Sequence, residues 1–439
     1  MRMRILSAAA AAACLAAGAL TACTSNNPYG SSNVPTVVFW YSATDSAASS
    51  QMNSLVGAYN QAQAGRLDVQ AVAVDTDADL MAKYQAAATS GTTPALLLAD
   101  DADAGWLVAS GQTVPMQDVA DAQSYGTSDI QPAVAAHYTV AGKLQAMPFT
   151  ASVPVLFYNK DAFTKAGLNA AKPPTTLAQV RADAQKLKKS GVTRSLASPV
   201  DGWLVEAFNA ADSALYCSPD NGRGTASVTQ MTFDNATTVQ TLAWWQQMVN
   251  DGLASASGQD ASAAQSAFTS GSAAMLLGSS DALPALVADA QFTVGVGSFP
   301  ALATPAASPL VSGTALWISG KGHSQAEQDA ALDLVKFLVS APTQSSWQAA
   351  TGNLPVSAAA LTQPGAAALA KQYPQLATLT AQLATKATPA TQGCVAPVLS
   401  QSRAAVGAAL QTVLSGTADP TSTLTAAAAQ MTQQLSAAK

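Results

Sequence analysis

Apolar and polar positions alternate along the chain in short blocks, strand then helix, over most of its length. Val37-Val38-Phe39-Trp40 reads as a buried strand. Met52, Leu55, Val56 and Tyr59 then recur at i, i+3, i+4 and i+7, which is one face of a helix. Leu67 to Val74 predicts a second strand, Leu80 to Thr89 a helix stopped near Gly91, and Ala95 to Ala99 a third strand. This rhythm implies a mainly parallel sheet with helices on both faces.

A new unit begins near Met147-Pro148. Val153 to Tyr158 predicts a strand, with Pro154 demanding an edge or a bulge. Asn159 or Asp161 caps the next helix and Gly167 ends it. Thr175 or Thr176 caps another, stopped at Ser190-Gly191. Val239 to Val249 is helical, Phe292 to Val296 and Ala315 to Ile318 are strands, and Ala331, Leu334, Val335 and Leu338 trace a further helix face. The Ala/Gln/Thr-rich C-terminal hundred residues read as largely helical.

The first residues have a different purpose. Arg2 and Arg4 precede an alanine-rich apolar run, Ile5 to Leu20, of ~16 residues, short of the ~20 that cross a bilayer. It is a secretory signal, excluded from fold reasoning. Leu20-Thr21-Ala22-Cys23 matches the lipobox of bacterial lipoproteins, which makes Cys23 the lipidation site and residues 1–22 the cleaved signal. Residues 23–35 form a lipidated flexible tether. The expected location is extracytoplasmic, lipid-anchored to the outer face of the cell membrane.

The remaining ~415 residues exceed one ordinary core and fit two lobes. The net charge of -6 becomes about -8 without Arg2 and Arg4, so nucleic acid is not an expected partner. Of four cysteines, Cys14 leaves with the signal and Cys23 is acylated. Cys217 and Cys394 are left as a disulfide or as two separate buried thiols.

Pro148-Phe-Thr-Ala-Ser152-Val-Pro-Val-Leu-Phe-Tyr158-Asn-Lys-Asp161-Ala-Phe-Thr-Lys-Ala-Gly167-Leu, then Pro173-Pro-Thr-Thr-Leu, resembles the ABC-importer extracellular solute-binding proteins for sugars and glycerol phosphates. Within them it looks most like the glycerol-3-phosphate/glycerophosphodiester binders. Ala274-Met275 before Gly278-Ser-Ser280, Phe292 to Gly297, Gly313-Thr-Ala-Leu-Trp317 and Trp347-Gln-Ala-Ala-Thr-Gly352-Asn-Leu-Pro355 extend the likeness over nearly all of the mature chain. The resemblance implies an α/β fold of the two-lobed periplasmic-binding-protein type (Venus-flytrap), with a hinge and multiple crossovers. Lobe 1 would combine 34–147 and 288–341, and lobe 2 148–287 and 342–439. Hinges would lie near Lys143 to Pro148, near 288 and near 342.

It also implies a site. Tyr84 falls where the family places a ligand-contacting tyrosine. Asp101, with Asp100 as rival, falls where a carboxylate takes glycerol hydroxyls. Ser152, Ser279 and Ser280 can donate to hydroxyl or phosphate. Trp203 can pack on the ligand, and Gly313 can offer its N–H. Arg403, isolated among Ala, Gln and Ser, suits bidentate contact with a phosphate or carboxylate. Asn353 replaces a tyrosine of the glycerol-phosphate binders, one of two tryptophans near Asp201 is missing, and Cys394 stands in place of a basic loop. A mono-, di- or oligosaccharide or an amino sugar is therefore an alternative ligand.

The implied partners are a small polar ligand, the permease subunits and, through the lipid, the membrane. The protein is expected to act as a monomer, with no cofactor and no metal. It is not expected to be an enzyme, and a secreted hydrolase is the remote alternative. The two histidines, His137 and His323, stand in no hydrolase motif, and His323 reads as a solvated loop residue.

Overall fold

The computed structural model describes residues 34–255, 258–302, 308–416 and 418–438. The signal, Cys23 and the tether up to residue 33 lie outside the described residues. Among the described residues no helix is long and apolar enough to cross a membrane.

Two sheets organise the chain. The first runs Asp68–Val74, Thr36–Ser42, Leu96–Asp100, Thr314–Ile318, Met147–Pro148; the second runs Val294–Ser298, Pro154–Asn159, Ala273–Ser279, Arg194–Ala197. Both are mixed rather than mainly parallel. In the first, Thr36–Ser42 pairs in parallel with both neighbours, whereas Thr314–Ile318 runs antiparallel to Leu96–Asp100. In the second, Pro154–Asn159 is antiparallel to both neighbours. The local βαβ pattern carries no information on the direction in which late strands such as Val294–Ser298 and Thr314–Ile318 join sheets begun far earlier.

Pro154–Asn159 is an interior strand, not an edge. Pro154 is accommodated because it is the first residue of the strand, where a missing donor costs little. Its side chains alternate between two helix-covered faces. Leu156 and Tyr158 enter one core with Leu196, Met275 and Trp245. Val155 and Phe157 enter another with Leu276, Phe268 and Leu379. A strand covered on both sides reads as a continuous apolar run, and Val155 to Tyr158 does. A separate core belongs to the first sheet, with Phe39, Met52, Leu55, Val56, Tyr59, Leu97, Trp317, Leu334 and Trp347.

The helix ends follow capping chemistry. Asn159 and Thr176 are the N-caps that form, and Ser324 and Glu327 close a capping box on Gln325–Leu338.

The chain passes between the sheets at 149–153, 311–313 and 352–354. These positions lie downstream of the expected boundaries near 148, 288 and 342. Val294–Ser298 pairs in the second sheet, and helix Ala341–Thr351 packs Trp347 on the first core. The three passages are bonded side by side. Ser152 and Ser312 exchange backbone hydrogen bonds at 2.8 and 3.0 Å, and Leu354 N donates to Ala151 O at 2.7 Å. Gly313 (φ 147°) belongs here because a Cβ would sit 2.2 Å from Thr150 O.

Cys217 and Cys394 form a disulfide with Cα atoms 5.8 Å apart. It fastens the 389–398 segment to the second lobe, and this segment also touches the first. A Cβ on Gly105 would lie 2.2 Å from the Ala396 carbonyl oxygen. Gly105→Ala should therefore destabilise the protein by roughly 1–3 kcal/mol in chemical denaturation. Gly57→Ala, on an exposed helix face with nothing within 4 Å, should be neutral or stabilising. Equal effects would show that the Gly105 approach is not tight.

Candidate functional site

A cavity of about 780 Å³ opens between the sheets, lined from both sides. Tyr41, Asp45, Met52, Asp77 and Asp100 come from the first half. Asp201, Trp203, Ser279, Asp281 and Arg403 come from the second, and Thr150, Ser152, Ser312, Gly313 and Thr314 from the crossings. Aromatic rings (Tyr41, Trp203, Trp347) thus alternate with hydroxyls and carboxylates.

Three of the helix starts at this space are capped by an aspartate. Asp45 Oδ1 accepts from Ala47 N (2.7 Å) and Ala48 N (2.9 Å), Asp100 from Ala102 N (3.0 Å), and Asp201 from Trp203 N (2.9 Å). At these three starts, backbone donors that would attract an anion are already answered by carboxylates.

Arg403 is assembled by close helix packing. A Cβ on Gly202 would be 2.0 Å from Arg403 O, so helix Gly202–Ala211 and helix Leu399–Ser415 meet backbone to backbone. One turn along, Glu206 Oε2 accepts from Arg403 Nε at 2.9 Å. From the end of strand Leu96–Asp100, Asp101 Oδ2 accepts from Arg403 Nη2 at 2.7 Å. Asp101 Oδ1 takes Ser312 Oγ at 2.7 Å and Gly313 N at 3.4 Å, while His137 Nε2 lies 3.7 Å from Oδ2. Glu206 Oε1 accepts from Cys394 N at 2.9 Å. Behind them, Arg223 donates through Nε to Gly393 O at 2.8 Å and through its other nitrogens to His137 O and Gln392 O.

Burial pulls the Asp101 carboxyl upward, but the Arg403 guanidinium, and then His137, outweigh it and hold it well below the usual carboxylate range. Burial likewise works against charge on Arg403, and Asp101 and Glu206 overcome it, so its pKa is raised well above the ordinary value. Asp100 goes the other way, raised first by burial and then by the neighbouring Asp101 charge. Asp103 is pushed up to about 7 by burial, then by Asp77 and Asp101.

Of the residues singled out in the sequence, Ser152, Trp203, Ser279, Gly313 and Arg403 line the cavity. Asp101 is 3% exposed and stands behind Arg403, with Asp100 on the wall in its stead. Tyr84 is fully buried in the first core, its hydroxyl 3.0 Å from Ser319 Oγ. The helical period points it inward. Ser280 is buried too, and its Oγ accepts from Val153 N at 3.1 Å, bracing the crossing. His323 is not solvated. Its side chain is 12% exposed and Nε2 lies 3.0 Å from Thr93 O. Asn353, which replaces a tyrosine of the glycerol-phosphate binders, accepts from Trp347 Nε1 at 3.1 Å on the cavity wall. Sequence reasoning missed Glu206. Its signal was a single carboxylate inside the apolar run Leu204-Val-Glu-Ala-Phe208.

Comparison with known proteins places these features. Residues 54–378 match the family of bacterial extracellular solute-binding proteins. The sn-glycerol-3-phosphate-binding periplasmic protein UgpB of Pectobacterium atrosepticum is 30% identical over 430 residues, covering 95% of this chain and 93% of its own. Among solved structures, UgpB from Mycobacterium tuberculosis in complex with glycerophosphocholine superposes with a TM-score of 0.74 at 21% identity, covering 93% of this chain and 98% of its own. The cyclic α-maltosyl-1,6-maltose binding protein of Arthrobacter globiformis gives 0.73 at 20% identity, covering 91% and 99%. Both share the two-lobed architecture.

Asp103 supplies a pH test. Its folded pKa is raised, so its contribution to stability is full at low pH and declines as pH rises toward about 7. Asp103→Asn, neutral throughout, should therefore gain on the wild type in thermal midpoint between pH 4 and 7 and level off above. A constant gap across that window would mean that Asp103 titrates normally.

Proposed function

Because the chain belongs to the bacterial extracellular solute-binding proteins and is the solute-binding component of an ABC importer, we propose that it captures glycerol-3-phosphate, a glycerophosphodiester or a related carbohydrate between its lobes and delivers it to the permease. One observation carries this reading: a cavity of about 780 Å³ whose hydroxyls, carboxylates and aromatic faces come from both lobes. A glyceryl or sugar unit is amphipathic. Its C–H faces pack on Trp203 or Tyr41, and its hydroxyls exchange hydrogen bonds with Ser152, Ser279, Thr314 and Asp100. A ligand that touches both walls is bound best when they are together, so binding draws the closed population up. The names of the relatives support the glycerol-phosphate class. The acidic wall of Asp45, Asp77, Asp100, Asp201 and Asp281 supports a second reading, a mono- or disaccharide or an amino sugar.

Binding, not turnover, is the role we assign. Neither histidine lines the cavity, and each is engaged elsewhere, His137 beside Asp101 and His323 on Thr93. We further assign Cys23 as the lipid-bearing residue that keeps this extracytoplasmic protein at the outer face of the membrane, acting as a monomer.

Calorimetry on the mature protein against glycerophosphocholine, glycerol-3-phosphate, maltose and glucosamine tests the capture reading. At least one should bind with micromolar affinity, about -8 kcal/mol. Trp203→Ala should weaken that ligand ~10-fold or more, and because Trp203 also packs on the second-lobe core, affinity is read at a temperature where both proteins are folded. Absence of binding across the panel, or a Trp203→Ala variant with unchanged affinity, would overturn it. Cys23→Ser should abolish fatty-acid labelling and release the protein from the membrane fraction. Retention of label would place the lipid elsewhere.

A further inference from the structure

Arg403 touches the cavity, yet its charge is already answered on the protein side. Asp101 and Glu206 lie 2.7 and 2.9 Å from its nitrogens. Both Glu206 oxygens accept from donors, Arg403 Nε and Cys394 N. The one other guanidinium in the cluster, Arg223, is 8% exposed and spends its donors on the carbonyls of His137, Gln392 and Gly393, away from the cavity wall. Two buried cations and two buried carboxylates therefore balance. At three of the nearby helix starts a carboxylate, from Asp45, Asp100 or Asp201, already takes up backbone donors and offsets the positive end.

We propose that Glu206 is a specificity-determining residue: by fixing and neutralising Arg403 from inside the second lobe, it makes the cleft accept a neutral polyol or a singly charged phosphodiester and refuse a dianionic phosphate monoester. The inference rests on the reading of the cavity as a polyol site and narrows it to the glycerophosphodiester and carbohydrate members of that ligand class, leaving out glycerol-3-phosphate. Arg403 Nη1 has no protein partner among the described residues, so the guanidinium still presents N–H donors to a ligand. What it lacks is surplus charge. A monoester brings two negative charges to a wall already carrying Asp45, Asp77 and Asp201, whereas a diester brings one and a sugar none. Asp101 does the same from the first lobe, but it also holds Ser312 and Gly313 at the crossing. Glu206 is therefore the cleaner handle.

The test compares wild type, E206Q, D101N and E206Q combined with Arg403→Gln, at fixed ionic strength. The ligand-independent probe is inorganic phosphate, read as a rise in thermal midpoint. It should stabilise E206Q and D101N, leave the wild type unmoved, and lose its effect when Arg403 is also replaced. In calorimetry the wild type should bind glycerophosphocholine at least ten-fold more tightly than glycerol-3-phosphate. E206Q should close that gap ten-fold or more, while maltose affinity changes less than three-fold. A purely structural role for Glu206 would shift all ligands in parallel, and that result overturns the proposal. So does an equal phosphate response in wild type and the two charge variants. Should E206Q fail to fold, D101N carries the same comparison. Should no organic ligand bind the wild type, the capture reading fails, and the phosphate series still decides the charge role.

Discussion

The Arg403 guanidinium, held between a carboxylate of each lobe, is the contact on which the rest of the site depends. Charges buried this deeply are stable only in each other's company, and removing one partner typically costs about 3–5 kcal/mol because the other is stranded. Three segments must therefore arrive together: the end of strand Leu96–Asp100, the helix carrying Glu206 and the helix carrying Arg403. Gly202 allows the two helices to touch, and Gly313 lets the crossing strand reach Asp101. The disulfide enters the same chain of contacts, since Cys394 gives its N–H to Glu206. Architecture and recognition share residues here, and neither is free to drift without the other.

The cavity wall follows from a second economy. Helix starts facing an enclosed space would ordinarily leave backbone N–H groups unanswered. Asp45, Asp100 and Asp201 resolve this locally, and in doing so they colour the wall negative. The same residues that end the helices thus decide which ligands can approach. Where burial and a like neighbour act on such a carboxyl, as at Asp100 and Asp103, its pKa is pushed upward.

Much of this was legible in the chain, and the part that was not has physical causes. Period and capping are local, so the face of Met52, Leu55, Val56 and Tyr59 and the caps Asn159 and Thr176 are as the pattern implies. The pairing of Cys217 with Cys394, left open by cysteine count, is realised. Strand direction was misjudged because Val294–Ser298 and Thr314–Ile318 join sheets begun far earlier, and local pattern carries no memory of such returns. Pro154 looked like an edge signal, but a first-residue proline is equally at home in an interior strand. Tyr84 carried a ring and a hydroxyl suited to a ligand, yet its helix turns it into the core. Glu206 was overlooked because a lone acid in an apolar helix gains meaning only once its cation, nearly two hundred residues away, is known.

The side-by-side bonding of the three passages between lobes has a mechanical consequence. Two lobes joined by one strand could twist, slide and swing independently. Joined by three strands laced at Ser152, Ser312 and Leu354, they resist shear and torsion, and bending across the lacing is the soft motion that remains. Occupancy is then converted into a single angle, and any membrane partner that grips both outer faces has one coordinate to measure.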